Sequence, residues 1–293
     1  METQPTRKNP ALHMLGHFGL VFAACLLAIL AVGGTALLFL GEEVLGGRSS
    51  AEAWTPAPGC NVVGIAVRGP ITVSASGFAP EECLYDCEYV TSSDEVLEYL
   101  NEARDNDAIK AILIDIESGG GEPVPSEEIA VAITQTEKPS VAWIRQVGAS
   151  GAYWIASAAD TIVASENSDV GSIGITMSYL DNVTANEEQG LTYNSLSSGK
   201  YKDAGNPDRT LTEEEVELFK RDLAILHANF IKAVSINRSL PLDQVTALAD
   251  GSSMLGAMAK ENGLIDVIGG QKEAYEILAS QIGEEPVICW AGL

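Results

Sequence analysis

The chain has 293 residues, and 17 Lys or Arg against 41 Asp or Glu leave it with a net charge of −24. That balance excludes a nucleic-acid backbone as partner, because phosphates need a positive footprint. With the apolar N-terminal segment set aside, about 250 residues remain, enough for a domain with a buried core able to carry an active site.

Residues 1–17 carry Arg7 and Lys8 and precede an uncharged run, Phe18 to Leu40. At 1.5 Å per residue that run spans roughly 35 Å, enough to cross a bilayer, and it exceeds the apolar core of a cleaved signal peptide. It is read as a retained transmembrane anchor over 18–40. Glu42 and Glu43 follow it, so the positive-inside rule leaves residues 1–17 in the cytoplasm and the bulk of the chain outside. Residues 41–59, rich in Gly, Ser, Pro and Ala, read as a linker, and the ectodomain is expected over 60–293.

Within that domain "NVVGIAVRG" predicts a strand, and "SSDEVLEYLNEARDN" a helix with Ser92 and Glu95 at capping-box spacing. "IKAILIDIES" predicts a buried strand, "SEEIAVAITQT" a helix and "SVAWIRQV" a strand. A short helix to Ala159, the strand "TIVAS", the segment "VGSIGITM" and a further strand at "LTYNSLS" follow. Thr212 and Glu215 then cap a long helix through "EEEVELFKRDLAILHANFIKAVSI", with Val216, Phe219, Leu223, Leu226 and Phe230 at helical spacing. Alternating strands and helices imply an α/β fold, a mostly parallel sheet covered on both faces.

Cys60, Cys83, Cys87 and Cys289 lie beyond the apolar run. An even number permits two disulfides in an oxidising compartment, with Cys83 and Cys87 closest in sequence and free thiols the alternative. Zinc is the weaker reading, because no histidine lies near and the spacing does not form paired knuckles.

Three stretches hold possible chemistry. In "DIESGGGEPVPS" a buried strand ends in three glycines, which let a ligand approach the backbone or simply form a flexible turn. In "QVGASGAYWIASAAD" Ser150 stands where a strand meets a helix, as a nucleophile or as an N-cap. "SSGKYKDAGNP" carries Lys200 and Lys202, and a lysine serves a serine as base only when neutral. Histidine is scarce. His13 and His17 flank or enter the apolar segment, and His227, alone on the long helix, reads as a packing or surface residue.

Taken together, "SGGG" after a strand, "GASGAYWIASAADTIVAS", "VGSIGI", "SGKYKDAGNP" and "MAKENGLIDVIGG" resemble, in order and approximate spacing from Asn61 to Leu278, the signal peptide peptidase A family. Its members are membrane-anchored serine endopeptidases with a Clp/crotonase-like fold, a repeated β-β-α superhelical core. The resemblance implies that Ser150 is the nucleophile, Lys202 the general base and Ser172 the residue that orients the lysine, with an oxyanion hole from Gly120, Gly121 and Gly151. It implies no cofactor and no metal. It further implies peptide substrates such as signal peptides or other membrane-associated or exported polypeptides, contact with a lipid bilayer, and a ring-like homo-oligomer in which the lysine serves its own or a neighbouring serine. Two departures stand out: Gly119 replaces a usual proline, and "ADGSSMLG" lacks a polar residue that often precedes the late helix. The competing classes are a noncatalytic membrane scaffold of the same fold and a crotonase-type acyl-handling enzyme.

Overall fold

Four of the strands expected from Asn61 onward, in "NVVGIAVRG", "IKAILIDIES", "SVAWIRQV" and "TIVAS", pair as neighbours in one sheet of the computed structural model, which describes residues 54–75 and 89–291. The expected anchor at 18–40 and Cys83 and Cys87 lie outside the described residues, and among those described no helix is long and apolar enough to cross a membrane. The strands are β1 (Val62–Arg68), β2 (Ile71–Thr72), β3 (Thr91–Ser92), β4 (Ala111–Ser118), β5 (Ser140–Ala149), β6 (Thr161–Ala164), β7 (Asp169–Gly171), β8 (Ser253–Leu255), β9 (Val267–Ile268) and β10 (Ile288–Ala291). The main sheet has the order β10-β1-β4-β5-β6-β9, and every neighbouring pair along it is parallel. Past the end of β6, the last residues of β5 pair with β7, which is antiparallel to β8.

The helices are α1 (Ser93–Asp105), α2 (Pro123–Gln135), α3 (Gly151–Ser157), α4 (Val183–Glu188), α5 (Glu213–Asn237), α6 (Leu242–Leu248), α7 (Gly256–Glu261) and α8 (Gln271–Ile282). Strand side chains alternate between two layers, as the period of two requires. Ile112, Ile114 and Ile116 of β4 face a core shared with Leu100 of α1, Ile129 of α2 and Tyr153 of α3. Ala111 and Leu113 face the opposite layer with Ala274 and Leu278 of α8. Both faces are covered, which is why these strands read as continuous apolar runs.

Two helix starts follow their sequence signals. The Ser92 side chain accepts from the Glu95 amide at the head of α1, and Thr212 with Glu215 completes a reciprocal capping box on α5. The strand expected at "LTYNSLS" is absent: Leu191 to Ser198 form no ladder, and Leu196 is 99% exposed. Its alternating apolar residues have no sheet edge to pair with, so the pattern alone does not make a strand. The stripe on α5 also divides. Phe230, Ile231 and Val234 are buried, whereas Val216, Phe219, Leu223 and Leu226 are only half covered.

Trp54, in the segment expected as a linker, packs with the described domain. Trp54 donates its amide to Glu98 at 3.0 Å and sets its ring edge-on against Tyr99 at 5.5 Å, so the end of the expected linker is part of the domain. A disulfide joins Cys60 to Cys289, tying the start of β1 to β10 at a Cα separation of 5.8 Å.

Candidate active site

β5 delivers Ser150. Its last residues align with β7, and the Ser150 amide donates to the Gly171 carbonyl at 2.8 Å. There the chain turns sharply into α3, with Ser150 at φ 52° and ψ −127°. A non-glycine residue holds positive φ at a cost of about 1–3 kcal/mol, and only where the surroundings over-determine it. Here they do, because all of α3 is buried. The Tyr153 hydroxyl donates to the Leu264 carbonyl at 2.8 Å, and the Trp154 ring stacks on Phe230 with centroids 4.6 Å apart. Ser150 occupies the N-cap position but its side chain makes no capping bond, so the half-buried hydroxyl is left for other chemistry.

The glycine loop after β4 lies against this turn. The Ile71 amide donates to the Gly120 carbonyl at 3.2 Å, and the Glu122 amide donates to the Ile71 carbonyl at 2.9 Å, which pins the loop to β2. Gly120 has φ +106°, and a Cβ there would stand 2.7 Å from the Gly151 nitrogen and 2.8 Å from the Ser150 Cβ. A Cβ on Gly121 would stand 2.2 Å from the Ile71 carbonyl oxygen. Both positions therefore require glycine, for close approach and at Gly120 also for conformation.

The amides of Gly121 and Gly151 have no acceptor among the described residues. The two residues are neighbours: the Gly121 nitrogen lies 3.2 Å from where a Gly151 Cβ would begin. Two free donors beside a serine hydroxyl are what developing negative charge on an attacked carbonyl oxygen requires. The Gly120 amide, also expected in the oxyanion hole, donates to the Ser118 hydroxyl at 3.1 Å in this structure and so is not free as the other two are.

Ser172, also at positive φ (52°), donates its hydroxyl to the Gly251 carbonyl at 3.0 Å and its amide to the Ser252 carbonyl at 3.1 Å. It lines one cleft of about 510 Å³ with Ser150, Gly121, Thr176, His227 and Asp250. His227 is the residue that sequence reasoning set aside. It lies one turn before Phe230 on α5, and the Trp154–Phe230 stack carries that turn of helix to the cleft. Among the described residues its Nε2 is buried without a hydrogen-bond partner. The available signal was its spacing from the apolar stripe; what α5 packs against was not readable.

Lys202 lies elsewhere. It is exposed, in a turn where its amide donates to the Gly199 carbonyl at 3.1 Å, and within one chain it is not among the residues that line the Ser150 cleft. Lys200 pairs with Glu214 at 2.7 Å and lies over the Tyr201 ring at 5.0 Å. Hydrogen bonding to Glu214 raises its pKa, which disfavours the neutral amine that a base must be.

The lysine-bearing turn is fastened to α5 through Asp203. Arg209 donates Nε to the Asp203 carboxylate at 3.0 Å and Nη2 to its main-chain carbonyl at 2.8 Å. The same guanidinium donates to Glu215 at 2.5 and 2.9 Å. Arg209, together with the Thr212 amide, holds the buried Glu215 carboxyl down at about 2.

A parallel α/β sheet that presents a strained serine to a glycine loop with free amides has the parts that acyl transfer by a hydrolase requires. The chain belongs to peptidase family S49, whose model matches residues 132–283. A Methanocaldococcus jannaschii relative is 34% identical over 61% of this chain and 58% of its own length. The chloroplastic serine protease SPPA of Arabidopsis thaliana is 30% identical over 72% of this chain and 30% of its own. Protease 4 of Haemophilus influenzae is 30% identical over 62% of this chain and 30% of its own. The chain thus spans between about a third and three fifths of the length of these relatives. Among solved structures, a ClpP1 variant from Listeria monocytogenes aligns with a TM-score of 0.47 at 14% identity, over 73% of this chain and 94% of that one.

Proposed function

We propose that this protein is a membrane-anchored serine endopeptidase in which Ser150 attacks a peptide carbonyl and Lys202 of a neighbouring copy serves as its base. The observation that carries this reading is the Ser150 turn, with its strained backbone, uncapped hydroxyl and the free amides of Gly121 and Gly151. Neutral Lys202 takes the Ser150 proton as the Oγ–carbon bond forms, and the two amides stabilise the oxyanion. The ammonium returns a proton to the leaving amine as the carbon–nitrogen bond breaks. Water, activated by the same amine, then hydrolyses the acyl-enzyme. Ser172 positions the incoming lysine.

Supply of the lysine by a second copy is supported by the surface around it. The segment that carries Lys202 exposes Leu180 (87%), Leu191 and Leu196, and the adjoining half of α5 leaves Phe219 and Leu223 half covered. Such a surface favours association, and burial in a ring-like assembly is what lowers a lysine pKa. The Cys60–Cys289 disulfide favours an oxidising compartment, in keeping with an ectodomain outside the membrane behind the 18–40 segment. The natural substrates on this reading are signal peptides left in the membrane or other exported polypeptides.

Labelling with a fluorophosphonate probe followed by peptide mapping tests the proposal. Modification of Ser150, abolished in Ser150→Ala, is expected. Peptidase activity that survives Ser150→Ala overturns the reading.

A further inference from the structure

Among the described residues of one chain, the cleft beside Ser150 is lined by two titratable side chains, Asp250 and His227, and by no Lys or Arg. Asp250 follows α6. One of its oxygens, Oδ1, accepts from the Ser252 amide at 2.9 Å and the Ser252 hydroxyl at 2.5 Å. Those bonds hold its carboxyl below the usual range, so the cleft carries a fixed negative charge with no salt-bridge partner among the described residues. The second oxygen, Oδ2, accepts no bond among them. His227 brings the other unmet group, a buried Nε2 with no hydrogen-bond partner among the described residues. An unsatisfied buried polar atom is costly, and it gains most from a ligand that supplies its partner.

We propose that Asp250 and His227 form a charge-selective substrate subsite, which receives a basic side chain of the peptide bound for attack by Ser150 and turns an acidic one away. An ammonium or guanidinium is a donor with several N–H groups. It can meet the free Asp250 oxygen and still present N–H groups toward the His227 ring. A glutamate at the same place meets the Asp250 carboxylate, and among the described residues of its own chain no Lys or Arg lines the cleft to offset it. The protein's net charge of −24 adds a field of the same sign. Gly251 also lines the cleft, and the space beside its Cα is open, which leaves room for an extended main chain to lie close. The inference rests on the Ser150 peptidase reading and specifies which substrates that site accepts.

The test uses the full-length protein in detergent at low ionic strength, with quenched fluorescent peptides that differ only by Lys, Gln or Glu at positions flanking the bond cut. At one flanking position the Lys peptide should exceed the Glu peptide by about tenfold in kcat/KM, mainly through KM, as expected when an exposed charge attracts one and repels the other. Salt at about 1 M should compress that ratio. Asp250→Asn should bring it close to one, while Asp243→Asn, on the exposed side of α6, should retain it. His227→Phe should weaken the preference and His227→Gln, which keeps a polar atom, should recover part of it. Equal cleavage of Lys and Glu peptides, or a preference unchanged in Asp250→Asn, overturns the subsite. A shift in the pH profile of kcat in Asp250→Asn with the Lys-to-Glu ratio intact also overturns it, since Asp250 would then act on the catalytic base. Activity persisting in Ser150→Ala refutes the underlying peptidase reading instead.

Discussion

Trp154 and Phe230 stack with their ring centroids 4.6 Å apart and their planes 6° from parallel. This contact joins the helix that follows Ser150 to the long helix that carries His227, so it holds two walls of the cleft together. Phe230 is 1% exposed, and its truncation in Phe230→Ala should cost about 3–5 kcal/mol of stability. Urea denaturation should show a lowered midpoint, and peptidase activity should fall further than that of an equally destabilised variant altered at Ile133. Loss of stability without the additional loss of activity would refute a role for the stack in shaping the cleft.

Supply of the base between copies makes a sharp prediction. Ser150→Ala and Lys202→Ala should each be inactive alone. Co-expressed or mixed after dissociation, they should regain part of the wild-type rate, because an intact Ser150 can then meet an intact Lys202. A cis dyad gives no recovery. Lys200→Ala should retain most activity, since its ammonium is held by Glu214 at the surface.

The Arg209–Glu215 pair predicts a particular acid response. The folded pKa of Glu215, about 2, lies below its ordinary 4.5, so its stabilising contribution is full above pH 4.5 and is lost as pH falls toward 2. Thermal unfolding of the wild type and Glu215→Gln should therefore differ by a constant margin above about pH 5 and converge near pH 2. A margin that stays constant down to pH 2 would show that the carboxylate is not what Arg209 holds.

Reduction should loosen the domain at its chain ends. Cys60 and Cys289 are 229 residues apart, and loss of a native disulfide typically costs about 2–5 kcal/mol. Alkylation mass shifts at these two cysteines should appear only after reduction, and Cys60→Ser should lower the unfolding temperature. Ready alkylation of both cysteines in the untreated protein would contradict the bond.

Much of the fold was legible because its signals are local. Thr212 and Glu215 lie one turn apart and cap α5 whatever surrounds them, and the apolar run of β4 needs only cover on both faces. Failure came where periodicity had no partner to act on. Leu191 and Tyr193 alternate as in a strand, yet no sheet edge lies beside them. The glycine loop and Ser150 were visible as candidates, while the division of labour among Gly120, Gly121 and Gly151 depends on which amide finds an acceptor, and Ser118 decides it.

The sequence by itself determined the strand and helix alternation, the capped start of α5, and the serine set between small residues at a strand end. These follow from side-chain period, capping chemistry and steric room within a few residues. Only the tertiary structure decided that His227 and Asp250 share a cleft with Ser150 and that Lys202 lies outside it within one chain. The reason is physical: those residues are brought together or kept apart by packing between elements far apart in the chain, such as Trp154 on Phe230 and Arg209 on Glu215, and no local pattern encodes which surfaces will meet.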